Sequence, residues 1–236
     1  MKHSTTIWTL NITGAIATSL AVLAVYRHGL HGIHGKSYLF LMLGLVSWFS
    51  ADLTLMYYYY ALGIEEQRLV TLTDAFWFAG YLFLALHLFT VLRSLRSTIK
   101  PGIVIMVSIV TVLFVIYNVF NLVSSEFLID VDFAAFAVSI AYPILDLILI
   151  IPSAIILVSL RKDYQHSIPW FLSSLSLLVN AVADDGYVYE FVKGNSQNLW
   201  FWDLFYVTDF IIMAGALIWY NTFHISYELN KPKIVP

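Results

Sequence analysis

Seven aspartates standing inside apolar runs are the residues of this 236-residue chain best suited to chemistry. Asp52, Asp74, Asp146, Asp184, Asp185, Asp203 and Asp209 interrupt stretches rich in Leu, Ile, Val and Phe. Placing an ionisable group at membrane depth costs about 2.5 to 3.5 kcal/mol on insertion scales, so each requires a physical account. No Lys or Arg lies inside these runs. The carboxyls must therefore be protonated, hydrated, hydrogen-bonded to hydroxyls and amides, or neutralised by a bound cation. Asp52, Asp146 and Asp209 are placed to floor an internal polar cavity, with Asp74, Asp184 and Asp203 at its mouth. Asp74 and Asp203, four residues into their helices, equally suit stabilisation by the helix N-terminal dipole. Simple exposure accounts for at least one of Asp184 and Asp185. Tyr57 to Tyr60, Tyr81, Tyr142, Tyr187, Tyr189, Tyr206, Asn118 and Asn180 are candidate partners, although an aromatic belt at the membrane interface explains many of those tyrosines as well.

Histidine offers less. His87 is the one imidazole well inside an apolar run, and a lone intramembrane histidine is more often packed or hydrogen-bonded than a metal or haem ligand. His28, His31 and His34 recur every third residue in a glycine-rich stretch and form a weak candidate metal set, with solvated loop histidines as the commoner reading. There is no cysteine, which excludes disulfides, thiolate metal sites and a cysteine nucleophile. No GxSxG elbow appears. All seven lysines fall in loops or tails, so no Schiff base to retinal can form within the bundle and no covalent cofactor is expected.

The elements that must position these residues follow from composition. Apolar residues make up 60% of the chain and charged residues 11%, against about 25% charged in a soluble domain. A water-soluble globule, a disordered chain and a nucleic-acid binder are excluded. Seven apolar runs, at 6–26, 37–61, 70–92, 102–124, 134–160, 168–190 and 199–223, predict an all-α membrane protein of seven transmembrane helices in one domain, with a short tail over 224–236. Arg27, Lys36, Arg93, Arg96, Lys100, Arg161, Lys162, Lys231 and Lys233 fall on one side, while Glu65, Glu66, Glu126, Asp130 and Asp132 fall opposite. The positive-inside rule then puts the N-terminus outside and the C-terminus inside, across the plasma membrane.

The spacing also repeats. Asp52 precedes Tyr57 by five residues, as Asp184 precedes Tyr189; Asp74 precedes Phe76, Trp77 and Ala85 by two, three and eleven, as Asp203 precedes Phe205, Tyr206 and Ala214. This predicts two parallel three-helix units, helices one to three and five to seven, joined by the fourth.

Ala51-Asp52, the run Asp74 to Tyr81, Tyr142-Pro143-Ile-Leu-Asp146, Ala183-Asp184 and Asp203-Leu-Phe-Tyr206 together resemble the seven-helix membrane regions that precede histidine kinase, PAS or diguanylate cyclase modules in archaea and bacteria. The resemblance spans nearly the whole chain and implies signal input. Asp209 departs from it, standing where a Gly-Tyr pair would match Gly80-Tyr81, and no output module follows residue 223, so a signalling partner is implied. A fainter similarity to bacterial lysoplasmalogenases rests on Ser50-Ala51-Asp52 and Leu86-His87-Leu88. The leading expectation is a non-enzymatic membrane sensor or accessory protein whose acidic cavity, in the outer half, binds a cation, protons or a small polar ligand. Its ligand-binding set would be Asp52, Asp74, Asp146, Asp184, Asp203, Asp209, Tyr57, Tyr189 and His87. A membrane-embedded lipid hydrolase, a small-solute or ion transporter and a structural subunit are the alternatives.

Overall fold

The computed structural model describes residues 2–63, 70–124, 133–160, 164–192 and 199–225. They form seven helices: α1 (Lys2–His28), α2 (Gly32–Ala61), α3 (Leu72–Ser94), α4 (Pro101–Val123), α5 (Phe133–Ser159), α6 (Tyr164–Val192) and α7 (Leu199–Trp219), the last running into a π-helical turn over Tyr220–His224. There is no strand among the described residues. At 1.5 Å per residue these helices are roughly 32 to 45 Å long, against a hydrocarbon layer about 30 Å thick.

Six of them are long and apolar enough to cross a membrane. The exception is α6, which has the length, at 29 residues, but carries Ser173, Ser174, Ser176, Asn180, Asp184 and Asp185 along its course. Among lipid-immersed helices such a segment must turn its polar side inward. Its start also differs from expectation. The helix begins one turn before Pro169, which is accommodated inside it at the loss of a backbone hydrogen bond.

Helix ends follow local chemistry. Gly29 and Gly32, with φ of 77° and 69°, make the tight reversal between α1 and α2 that a side chain would strain. Pro101 opens α4, where its missing N–H has no intrahelical partner to lose. In α5, Pro143 frees the carbonyl four residues before it, at 139, and Pro152 frees that of Ile148, two residues after Asp146.

Packing places α2 against α3 and α6 against α7; α1 touches α2 and α7, α5 touches α6 and α3, and α4 lies outside against α5 and part of α6. Six helices thus close a ring in the order α1, α2, α3, α5, α6, α7. Ala17, Ala21 and Ala24 let α1 approach closely, and Leu41, Leu45, Leu84, Leu88, Leu149, Ile156, Leu177, Met213 and Leu217 fill the interior. Ile105, Met106, Ile109, Val110, Leu113 and Ile116 of α4 point outward, a face suited to lipid and unsuited to water. At the end where α1 finishes, Arg27 donates to the Asn221 carbonyl at 2.6 Å, and His34 of α2 stacks on Trp170 of α6 with ring centroids 4.6 Å apart. Of the residues that set the expected orientation, Glu65, Glu66, Glu126, Asp130, Asp132, Arg161, Lys162, Lys231 and Lys233 lie outside the described residues, as does the tail beyond 225.

Candidate functional site: an acid and hydroxyl network between the helix pairs

Tyr81 of α3 reaches across the ring, its Oη 2.7 Å from Asp146 Oδ1 on α5 and 2.5 Å from Asp184 Oδ2 on α6. Tyr206 of α7 donates to Asp184 Oδ1 at 2.6 Å. Nearby, Tyr142 of α5 donates to Asp74 Oδ1 at 2.7 Å, while Asp74 Oδ2 accepts the Thr71 backbone N–H at 2.8 Å. Asp74 thus completes the capping box of α3 with Thr71 through one oxygen and bridges α3 to α5 through the other. Asp209 of α7 accepts from Ser176 Oγ and, at 3.1 Å, from Asn180 Nδ2, both on α6. Asp52 of α2 is buried within electrostatic reach of Asp209.

The network differs from expectation at Asp184 and Asp185. Neither is exposed: Asp184 is half-buried under Tyr81 and Tyr206, and Asp185 retains 5% exposure. The reason is the length of α6, which continues to Val192 and so holds both acids about two turns inside its end. Asp185 was the acid to which the sequence gave no role. It is within electrostatic reach of Asp184 and Asp146, and both its carboxyl oxygens are buried without a hydrogen-bond partner. Asp146 Oδ2 is buried and unpartnered too. An unsatisfied polar atom in a membrane interior costs several kcal/mol, so these three oxygens are the costliest polar atoms of the network to bury.

Hydrogen counting constrains what the array holds. A tyrosine carries one hydroxyl hydrogen, yet Tyr81 Oη makes short contacts to two carboxyls, and ionised carboxylates only accept. One of the two contacts therefore requires a further proton.

Other candidates sit elsewhere. Asp203 is half-buried early in α7. Tyr57 is 58% exposed and tilts against Tyr58, and Tyr189 lies at the bundle surface, so neither is brought to Tyr81. His87 is fully buried nearer the opposite end, its Nδ1 2.8 Å from Ser37 Oγ and 3.0 Å from the Ser37 carbonyl, its Nε2 3.5 Å from Ser173 Oγ. A carbonyl only accepts, so Nδ1 carries the hydrogen and Nε2 presents its lone pair to Ser173. Ser37 and Ser173 were not anticipated; an isolated serine in an apolar run has no spacing signal. Of the three loop histidines, His34 stacks on Trp170, His28 tilts against Tyr220, and His31 stands exposed before α2. Among the described residues no group of three or more His, Asp or Glu is gathered as a metal site.

The chain matches no known protein-family description, no curated protein and no solved structure.

Proposed function

We propose that the protein is a membrane signal-input protein whose stimulus is protonation of the Asp146, Tyr81 and Asp184 array, read by a partner at the opposite end. The observation that carries this is Tyr81 Oη within hydrogen-bond distance of both carboxyls. Asp184 already accepts from Tyr206, so the arrangement of lowest cost has Tyr81 donate to Asp184 and Asp146 donate its acid proton to Tyr81. The Tyr81 and Tyr206 hydroxyls lie along the carboxyls, and Asp146 and Asp184 are also within side-chain hydrogen-bond reach of each other, an arrangement that suits a shared proton.

The array also lies where a charge change has leverage. Its contacts, with that of Tyr142 to Asp74, bridge α3 to α5 and α6, the junction between helices one to three and five to seven. Two such units are supported by packing: α1 sits on α2 and α7 as α5 sits on α6 and α3. Corresponding positions are buried as well, Tyr81, Leu84 and Leu88 on one side and Phe210, Met213 and Leu217 on the other. Losing the proton would set two charges against each other across that junction and shift the populations of its two packings. A plasma-membrane location with the acidic end outside would expose the array to external pH.

The hydrolase alternative has less to draw on. His87 is committed to Ser37 and Ser173, and Ser50 donates to the Val46 carbonyl of its own helix at 2.8 Å. Neither faces an acid as a nucleophile and base would.

Infrared spectroscopy tests the proposal directly. Wild-type protein at neutral pH should show the carbonyl stretch of a protonated carboxylic acid, which disappears after an alkaline jump and is missing from Asp146→Asn. Wild-type protein without that band at neutral pH would sink the proposal.

A further inference from the structure

At the far end of α6 from its start, a cavity of about 310 Å³ is lined by Glu190, Trp200, Phe201 and Trp202. None of these four belongs to the acid and hydroxyl network. The walls are fixed by packing. A Cβ placed on Gly186 would lie 2.4 Å from three atoms of the Trp202 six-membered ring, so the absence of a side chain there lets the indole lie flat on α6. Glu190 follows Gly186 by four residues and so projects from the same face of α6, toward the same indole. Phe201 braces the group, its ring centroid 5.2 Å from Trp202 and 6.3 Å from Trp200, both edge to face.

Within this aromatic frame no basic residue among the described residues balances the carboxylate; Lys193, next after α6, lies outside them. Glu190 Oε2 is buried with no hydrogen-bond partner. It stands in the last turn of α6, at the negative end of the helix dipole, and that turn contains no basic residue. A membrane-interface belt accounts for two tryptophans and a phenylalanine, but it does not account for a carboxylate oxygen turned in among them.

We infer that this cavity binds a methylated ammonium group, with Glu190 supplying the counter-charge and the indoles of Trp200 and Trp202 the π faces. Its volume is at the lower bound for ligand pockets, which suits a small headgroup or free amine and not a large solute. A methylated ammonium presents positive charge over an apolar surface, and aromatic faces attract it even at a partly exposed site such as this, where Trp200 and Phe201 are 49% and 44% exposed. A metal ion or a primary ammonium is also drawn to an indole face but holds water or hydrogen bonds that the rings cannot replace, whereas a methylated ammonium has none to lose.

Two sources carry this chemistry, a choline-type lipid headgroup and a free quaternary amine. The experiment separates them. Protein in a maltoside detergent is titrated calorimetrically with tetramethylammonium chloride, against sodium chloride at equal ionic strength. Saturable heat with tetramethylammonium alone is expected, weakened about tenfold or more in the near-isosteric Glu190→Gln, a change of about 1.4 kcal/mol. Trp202→Leu should abolish it; because Trp202 is wedged on Gly186 and that variant can fail to fold, Glu190→Gln is the deciding one. No heat beyond the sodium control, or unchanged affinity in Glu190→Gln, overturns the site. In nanodiscs, titration suppressed by phosphatidylcholine and retained in phosphatidylglycerol supports the site with a lipid headgroup as its occupant. Equal titration in both supports it with a free amine.

Discussion

The seam between α2 and α3 and the seam between α6 and α7 are built on the same spacing and closed at corresponding positions by different chemistry. Gly44 and Trp48 stand eight and four residues before Asp52, as Ser176 and Asn180 stand before Asp184; Gly80 stands six after Asp74, as Asp209 stands after Asp203. In the first seam Trp48 lies so close to Gly80 that a Cβ there would be 2.1 Å from its ring, and the indole N–H donates to the Trp77 carbonyl at 3.2 Å. In the second, the corresponding positions hold Asn180 bonded to Asp209, with Ser176 bonded to the same carboxyl. At these corresponding positions one seam is closed by an indole on a glycine and the other by side-chain hydrogen bonds, although Trp202 on Gly186 gives the second seam a shape contact of its own further along. The acids that meet Tyr81 and Tyr206 belong to α5 and α6, so the polar seam adjoins the network while the apolar seam supplies a rigid backing for Tyr81, whose ring meets Trp48 edge to face at 5.5 Å.

The sharpest way to break the contrast is to write one seam's residue into the other. Gly80→Asp puts both a clash and an uncompensated carboxyl against Trp48, and should cost about 3 kcal/mol or more, measured by denaturant or thermal unfolding in detergent. Adding Trp48→Asn, which reproduces the Asn180 and Asp209 pair, should recover part of that loss. A double variant no more stable than Gly80→Asp alone would show that the two seams are not interchangeable despite their spacing. The reciprocal removal, Asp209→Ala, leaves the Ser176 hydroxyl and Asn180 amide without their acceptor and should cost about 1 to 3 kcal/mol in the same assay. A cost near zero would mean that the polar seam is held by packing and not by the carboxyl.

Much of this was legible in advance because the sequence carries it as contrast. An aspartate in an apolar run is conspicuous, and Asp52, Asp74, Asp146, Asp184 and Asp209 could be singled out without coordinates. The seven helices follow from runs of 20 or so apolar residues, because only a fully bonded backbone is tolerated in lipid. The acid partners were harder. Tyr81, Tyr142 and Tyr206 stood among eleven candidate residues, of which the repeat spacing favoured Tyr57 and Tyr189 instead, since the true selection depends on which helices become neighbours around the ring. Asp185 was misjudged because its burial depends on where α6 ends, and helix boundaries in a polar segment leave a weak hydropathy signal. Gly80 and Gly186 gave no sign at all; a glycine beneath an indole is visible only once two helices are side by side.

His87 provides the finest test of how polar groups are held on the apolar side. Its Nδ1–H points at both the Ser37 hydroxyl and the Ser37 carbonyl, so the serine side chain is a second acceptor and not the essential one. Removing it in Ser37→Ala leaves the backbone carbonyl in place, 3.0 Å from Nδ1, and empties a space no larger than a hydroxyl. The expected cost is therefore only about 0.5 kcal/mol, at the low end for a lost hydrogen bond. The nitrogen chemical shifts of the imidazole should still report the Nδ1–H tautomer, because the carbonyl alone fixes it. A tautomer switch in Ser37→Ala would instead make the hydroxyl the controlling partner. It would also mean that this buried histidine, like Asp209 in the polar seam, is governed by side-chain chemistry rather than by the helix backbone.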